Sequence, residues 1–128
     1  MGPDARSPHR SVLFVCAHGA ARSRVAAAFF NQNAPSGWWA SSAGLQPQEQ
    51  LGEAARRLLE GTGAESLLDI TPPRALDPSA YADRTIAIDC NVAGAEQWRL
   101  TNQEFGAPMR EELRRRAQAL AARVASNP

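Results

Sequence analysis

Short apolar runs alternate along the chain with segments whose apolar residues recur at helical spacing. The runs are typical of parallel strands buried on both faces, whereas the spaced segments are typical of helices with one apolar face. Strands that alternate with helices predict a parallel α/β sheet. The predicted strands are residues 11–15, 38–42, 84–89 and 97–100, and the predicted helices are residues 23–31, about 49–60 and 109–124.

The length of 128 residues is that of one compact domain. Pro, Gly and charged residues crowd the start, so we expect residues 1–10 to be a disordered tail and residues 11–128 to form a single domain. The formal net charge of +1 argues against a broad electrostatic partner such as duplex nucleic acid. We find neither a signal peptide nor an apolar run of membrane-spanning length, and therefore expect a cytoplasmic protein without membrane association.

The first predicted strand ends at Cys16, and a run of small residues then leads to Arg22 and Ser23. A tight loop that opens a helix supplies backbone N–H groups and the positive end of the helix dipole, which suit a tetrahedral oxyanion. Arg22 can add a planar, two-pronged contact, and the same donors favour the Cys16 thiolate, to which Ser23 can donate. Cys16, Arg22 and Ser23 are thus the predicted catalytic residues. The predicted oxyanion-binding residues, called here the C-x5-R-S loop, are Cys16, Ala17, His18, Gly19, Ala20, Ala21, Arg22 and Ser23.

Asp89 ends the third predicted strand, and the carboxyl ends of parallel strands meet at one edge of a sheet. Asp89 and its neighbour Cys90 are therefore candidate accessory residues beside Cys16, although a residue like Asp89 can equally serve as a cap or turn. The two cysteines are too few for a disulfide framework and lack the spacing of a zinc site. Neither His9 nor His18 has a second ligand at suitable spacing, so we predict no metal, and no glycine pattern predicts a nucleotide cofactor.

The sequence VLFVCAHGAARSRVAAAFFN resembles the signature region of the low-molecular-weight protein tyrosine phosphatases and of the thiol-dependent arsenate reductases. Residues 42–44 (SAG) and 87–89 (AID) resemble later segments of the same family. The resemblance implies a four-stranded parallel sheet flanked by helices, with the oxyanion-binding loop after the first strand. It also implies that Cys16 is the nucleophile of a phospho-cysteine intermediate, Arg22 the oxyanion clamp and Ser23 the sulfur partner.

Three positions depart from the family pattern. Gly19 stands where the family usually has a bracing Asn, and Ala21 stands where the phosphatases have a second Cys. The segment before the last helix lacks the Asp-Pro pair whose Asp is the general acid. Glu104 is the nearest carboxylate there, and it is either a substitute acid or an exposed loop residue. Losing a general acid slows a reaction by roughly 10²–10⁴-fold, so the resemblance implies a slow phosphatase or one restricted to good leaving groups.

Three functions remain open at this point, and each uses phosphate, arsenate or a phosphorylated substrate. The first is weak hydrolysis of phosphomonoesters through Cys16. The second is arsenate reduction, in which an external small thiol or a thioredoxin-like partner resolves the adduct; Cys90 lies near the position of a resolving Cys in some reductases, or is a plain strand-end residue. The third is a catalytically silent oxyanion-binding module, which Gly19 and the missing acid both fit.

Overall fold

The computed structural model describes residues 10–126 of the chain. Its elements are β1 (Arg10–Cys16), α1 (Arg22–Asn33), β2 (Trp38–Gly44), α2 (Glu53–Leu59), β3 (Arg84–Ile88), β4 (Glu96–Trp98) and α3 (Ala107–Ser126), with one turn of 3-10 helix at Glu65–Leu67. The strands form one sheet in the order β2-β1-β3-β4, and every neighbouring pair is parallel. The predicted four-stranded parallel sheet is thus confirmed. None of the helices within residues 10–126 combines the length and the apolar character needed to cross a membrane.

The predicted elements are all present, with shifts at their ends. α2 begins at Glu53 and not near residue 49, because Gly52, with extended backbone, is the residue that caps its start. The fourth strand, predicted at 97–100, runs from residue 96 to residue 98. The predicted tail lies outside the described residues except for Arg10, which is the first residue of β1 and donates its N–H to Gly37 O at 2.9 Å.

β1 lies inside the sheet, and its alternating side chains enter two separate parts of the core. Val12 and Phe14 are fully buried on one face, and Cys16 follows them in the same alternation. The buried apolar residues of α1, α2 and α3 belong to this group, which we call the helix-side cluster. Within it, the ring of Phe14 lies 5.4 Å from that of Trp98 and 6.3 Å from that of Phe30, measured between centroids. Cys16 therefore ends its strand on the helix-covered face.

The other face of the sheet carries a smaller group, the loop-side cluster, built from Val15, Ala87 and Cys90. Leu76 and Val92, which belong to loops, pack against these three residues. The two cysteines of the chain thus lie in different parts of the core. This separation bears directly on whether Cys90 can react with Cys16.

Glu112, in the first part of α3, anchors the segment that joins β4 to α3. Only 4% exposed, its carboxylate accepts hydrogen bonds from the N–H groups of Thr101 and Asn102, each at 3.0 Å. It also pairs with Arg116 at 3.0 Å. Burial alone raises the pKa of Glu112, but these hydrogen bonds outweigh it and lower the pKa to about 2. The loop before α3 is therefore tied to the helix through one charged carboxylate.

We expect Glu112→Gln to lower the free energy of unfolding at neutral pH by up to about 3 kcal/mol, since one pKa unit is worth about 1.4 kcal/mol. The folded-state pKa lies below the ordinary value of 4.5, so this stability is present above about pH 4.5 and is lost as the pH falls toward 2. Urea unfolding at several pH values should therefore show the gap between wild type and variant narrowing in acid. Glu111→Gln, at the 43% exposed neighbouring carboxylate, is the matched control. A gap that does not change with pH contradicts the assignment.

Candidate active site

The loop between β1 and α1 turns its carbonyl groups toward the surrounding segments. Each carbonyl from residue 16 to residue 21 accepts a hydrogen bond, five from backbone N–H groups and one, at Gly19, from the side chain of Arg24. Most of the backbone donors belong to the segment that follows β2. In the order of the carbonyls from Cys16 to Ala21, the donors are Leu45 N (3.1 Å), Gln46 N (2.7 Å), Gln48 N (3.3 Å), Arg24 Nε (2.9 Å), Gly52 N (3.2 Å) and Val25 N (2.9 Å).

The N–H groups of the same loop have no acceptor in the part of the chain that the structure describes. In a trans peptide the C=O and the following N–H point in opposite directions, so anchoring carbonyls 16–20 turns the N–H groups of residues 17–21 the other way. None of these five N–H groups donates a hydrogen bond to any residue of the range 10–126. The first N–H groups of α1 also lack acceptors within the helix and add the positive end of its dipole. Free donors concentrated at a helix start form a ready site for an oxyanion.

Cys16 and Ser23 are brought together at the two ends of the loop. The Cys16 Sγ lies 3.1 Å from the Ser23 Oγ, and both residues are buried, with Cys16 only 3% exposed. Cys16 is the last residue of β1, while Ser23 is the second residue of α1, so the strand and the helix fix this pair. When the sulfur is a thiolate, the Ser23 hydroxyl is placed to donate a hydrogen bond to it.

Arg22 is held on two sides by Asp89 and Phe105. Its Nε lies 3.6 Å from Asp89 Oδ2, and its guanidinium carbon lies 5.1 Å from the centre of the Phe105 ring. Asp89 also accepts hydrogen bonds from the N–H of Leu100 at 3.0 Å and from Gln103 Nε2 at 3.2 Å. Its backbone has φ +53°, a left-handed conformation that is uncommon outside glycine. The carboxylate of Asp89 thus accepts two hydrogen bonds and lies within ion-pair distance of Arg22, whose Nε makes no hydrogen bond within residues 10–126.

No hydrogen bond joins His18, Glu104 or Cys90 to the Cys16–Ser23 pair within residues 10–126. His18 is exposed, with its Nδ1 3.2 Å from Gln46 O, so it contacts the segment after β2. Glu104 is exposed, and no hydrogen bond or ion pair holds it within the described part of the chain. The Cys90 thiol donates to Val15 O at 3.5 Å, and burial raises the pKa of Cys90. Across residues 10–126, no three His, Cys, Asp or Glu side chains are grouped closely enough to hold a metal ion.

The support beneath the loop was not predicted from the sequence. Gly19 has φ +65°, and its backbone lies against that of Gly44 at the end of β2. A Cβ added at Gly19 would lie 2.9 Å from Gly44 N, and one added at Gly44 would lie 2.6 Å from Gly19 N. Neither position accepts a side chain unless the end of β2 moves. The family resemblance includes the SAG segment but does not predict this contact, which joins residues far apart in the chain.

No protein-family model matches the sequence, and neither does any curated protein. Solved structures do match. The arsenate reductase of Archaeoglobus fulgidus is 30% identical, with a TM-score of 0.69, over 87% of this chain and 98% of that chain. The chain belongs to the family of the low-molecular-weight protein tyrosine phosphatases and the arsenate reductases.

Two more distant members of this family match almost the whole chain. The thioredoxin-dependent arsenate reductase of Corynebacterium glutamicum has a TM-score of 0.77 at 24% identity, over 96% of this chain and 65% of that chain. The low-molecular-weight protein tyrosine phosphatase of T. tengcongensis has a TM-score of 0.63 at 19% identity, over 94% of this chain and 100% of that chain. At such identities the likeness concerns the fold. Since phosphatases and reductases share it, the residues of the site must distinguish them.

We expect Gly19→Ala to destabilise the protein more than Gly94→Ala does. Both glycines have left-handed backbones, φ +65° and φ +79°, which cost an alanine about 1–2 kcal/mol. Only Gly19 adds a close contact, because a Cβ at Gly94 meets no atom within 4 Å. Urea unfolding of the two variants measures the difference. Equal losses would show that the contact with Gly44 does not constrain the loop.

Proposed function

We propose that the protein binds phosphate-type oxyanions in the C-x5-R-S loop and that the Cys16 thiolate attacks the bound anion. The observation that carries this proposal is the loop itself: the carbonyls of residues 16–21 are all hydrogen-bonded, while the N–H groups of residues 17–21, beside the Cys16–Ser23 pair, donate to no residue of the described range. Preorganised N–H donors and an arginine stabilise the charge that develops on equatorial oxygens during such an attack. Asp89 orients Arg22 for this role, as their 3.6 Å separation supports.

The first activity we propose is hydrolysis of phosphomonoesters in two steps. The sulfur of Cys16 forms a bond to phosphorus while the bond from phosphorus to the leaving oxygen breaks, and that oxygen takes the electron pair. Water then attacks phosphorus, the S–P bond breaks, and the thiolate returns while a proton of the water passes to solvent. The Ser23 hydroxyl, 3.1 Å from the sulfur, stabilises the thiolate as it leaves.

The supply of protons limits this reaction to good leaving groups. Asp89 is engaged as an acceptor by Leu100 and Gln103, and Glu104 is held by no contact within residues 10–126. A nitrophenolate departs without a proton, whereas an alkoxide needs one. We therefore propose a slow phosphatase in which binding of the oxyanion is better provided for than protonation of the leaving group.

We expect slow turnover of p-nitrophenyl phosphate that Cys16→Ser abolishes, since the nucleophile is removed. Cys90→Ser, at the second buried cysteine, is the matched control and should retain the rate. Alkyl phosphates should react roughly 10²–10⁴-fold more slowly than the nitrophenyl ester, the usual contribution of a general acid. Release of nitrophenolate followed at high enzyme concentration is the measurement. The absence of any turnover under these conditions rules out the hydrolysis proposal.

Arsenate reduction is the second candidate, and the 30% identity to the Archaeoglobus fulgidus arsenate reductase favours it. The Cys16 sulfur would form a bond to arsenic as hydroxide leaves. A second thiol would then attack that sulfur; an S–S bond forms, and the electron pair of the S–As bond reduces As(V) to As(III). We propose that this thiol is external, a small thiol or a thioredoxin-like protein, because Cys90 lies in the loop-side cluster with a raised pKa.

With arsenate and a supplied thiol system, we expect release of arsenite that depends on Cys16 and not on Cys90. Arsenite is quantified with glutathione, with mycothiol-type small thiols and with thioredoxin plus its reductase. Loss of release in Cys90→Ser would instead make Cys90 the resolving thiol, and no release with any system counts against reduction.

Thermal stabilisation by phosphate with neither activity indicates the silent oxyanion-binding module. If phosphate gives no stabilisation, the premise of oxyanion binding fails as well.

A further inference from the structure

Arg24 is the only side chain among the six groups that hold the carbonyls of residues 16–21. It is the third residue of α1 and is 1% exposed, so its guanidinium lies entirely inside the protein. Its Nε–H donates to Gly19 O at 2.9 Å. The other five carbonyls are bound by backbone N–H groups. Shortening the Arg24 side chain therefore removes the hydrogen bond to the Gly19 carbonyl, whereas shortening a side chain leaves the five backbone donors in place.

The buried guanidinium of Arg24 is supported by Asp69, which comes from the segment between the 3-10 turn and β3. The Nη1 of Arg24 donates to the Asp69 backbone carbonyl and lies 3.6 Å from its carboxylate. Burial raises the pKa of Asp69, but hydrogen bonds from Thr71 and Arg74 outweigh it and lower the pKa to about 2, so this carboxylate is charged at neutral pH. Arg24 Nη2 is buried without a hydrogen-bond partner among residues 10–126.

We propose that Arg24 is a positioning residue of the oxyanion site: by holding the Gly19 carbonyl, it directs the N–H of Ala20 into the loop and places a buried positive charge behind it. This inference rests on the oxyanion binding proposed above. Because the peptide is trans, the Ala20 N–H points opposite to the Gly19 carbonyl that Arg24 binds.

A hydrogen bond from outside the loop constrains the backbone more at Gly19 than at the other loop residues. Glycine has the widest backbone freedom, so the peptide between Gly19 and Ala20 can rotate more easily than its neighbours. Gly19 also has no side chain with which to brace the loop, and the contact with Gly44 leaves no room for one. Arg24 supplies the constraint from outside the loop, and it does so with a charged donor, which makes the stronger kind of hydrogen bond.

A role in anion binding differs measurably from a role in stability. Arg24→Met relieves the desolvation cost of the buried guanidinium, but it also leaves the carbonyls of Gly19 and Asp69 without their charged donor, which costs more. The anion-free variant is therefore expected to be less stable than wild type. The affinity for the anion is a separate quantity, measured under conditions in which every variant is folded, and it should fall as well.

The test is isothermal titration of inorganic phosphate into wild type, Arg24→Met, Arg24→Lys and Arg114→Met. Arg114 is the matched control, a helix arginine that packs 5.2 Å above the Phe29 ring and pairs with Glu111. We expect Arg24→Met to weaken phosphate binding by roughly 10- to 100-fold, the effect of losing one charged hydrogen bond. Arg24→Lys, which keeps the cation, should restore part of the loss. Arg114→Met should bind phosphate like wild type.

A folded Arg24→Met that binds phosphate as wild type does would overturn the role of Arg24 while leaving the proposed function intact. Equal losses in Arg24→Met and Arg114→Met would overturn it too, since the effect would not be local. A wild-type protein that binds no phosphate overturns both proposals. Hydrogen exchange of the Arg24 Nε–H in the wild-type protein gives a test that needs no variant. Slow exchange with solvent supports the hydrogen bond to the Gly19 carbonyl, and exchange as fast as that of an exposed arginine refutes it.

Discussion

The hydrogen bonds to the carbonyls of residues 16–21 are the constraint on which the rest of this structure depends. A loop of small residues has little to hold its shape from within, so its neighbours must hold it. The segment after β2 supplies four of the six donors and α1 supplies the other two. The loop therefore takes its shape only when β1, β2 and α1 are all in place. Substitutions in residues 45–52 can alter the site without any of them touching an anion.

At the proposed site, the groups that would bind an oxyanion are better positioned than the groups that would protonate a leaving oxygen. The donors for an oxyanion, the sulfur and the hydroxyl beside it come from one continuous stretch of chain. The groups around Arg22 come from elsewhere: Asp89 follows β3, and Phe105 lies in the segment that Glu112 anchors. The segment that Glu112 anchors places the Phe105 ring against the Arg22 guanidinium. The Glu104 carboxylate of the same segment makes no hydrogen bond or ion pair within the described chain. The site that we propose thus contains more groups to hold an oxyanion than groups to protonate the leaving oxygen.

The alternation of side chains along β1 also shapes the thiol chemistry. Cys16 follows Phe14 on the helix side, while Val15, one residue earlier than Cys16, packs with Cys90 on the other side. A one-residue step in a strand reverses the face, so neighbours in sequence enter different clusters. Reaction between the two sulfurs would break the hydrogen bond from the Cys90 thiol to Val15 O. An external thiol needs no such rearrangement.

The sequence by itself determined the parallel sheet, the order of its elements and the C-x5-R-S loop with Cys16, Arg22 and Ser23. These features follow from periodicity and from residues a few positions apart, which local geometry brings together. The tertiary structure alone decided the contact of Gly19 with Gly44, the hold of Arg24 and Asp69 behind the loop, and the pairing of Arg22 with Asp89. Apart from the short step from Arg24 to Gly19, each joins segments distant in the chain, so only the packed fold brings their atoms into contact or within ion-pair distance.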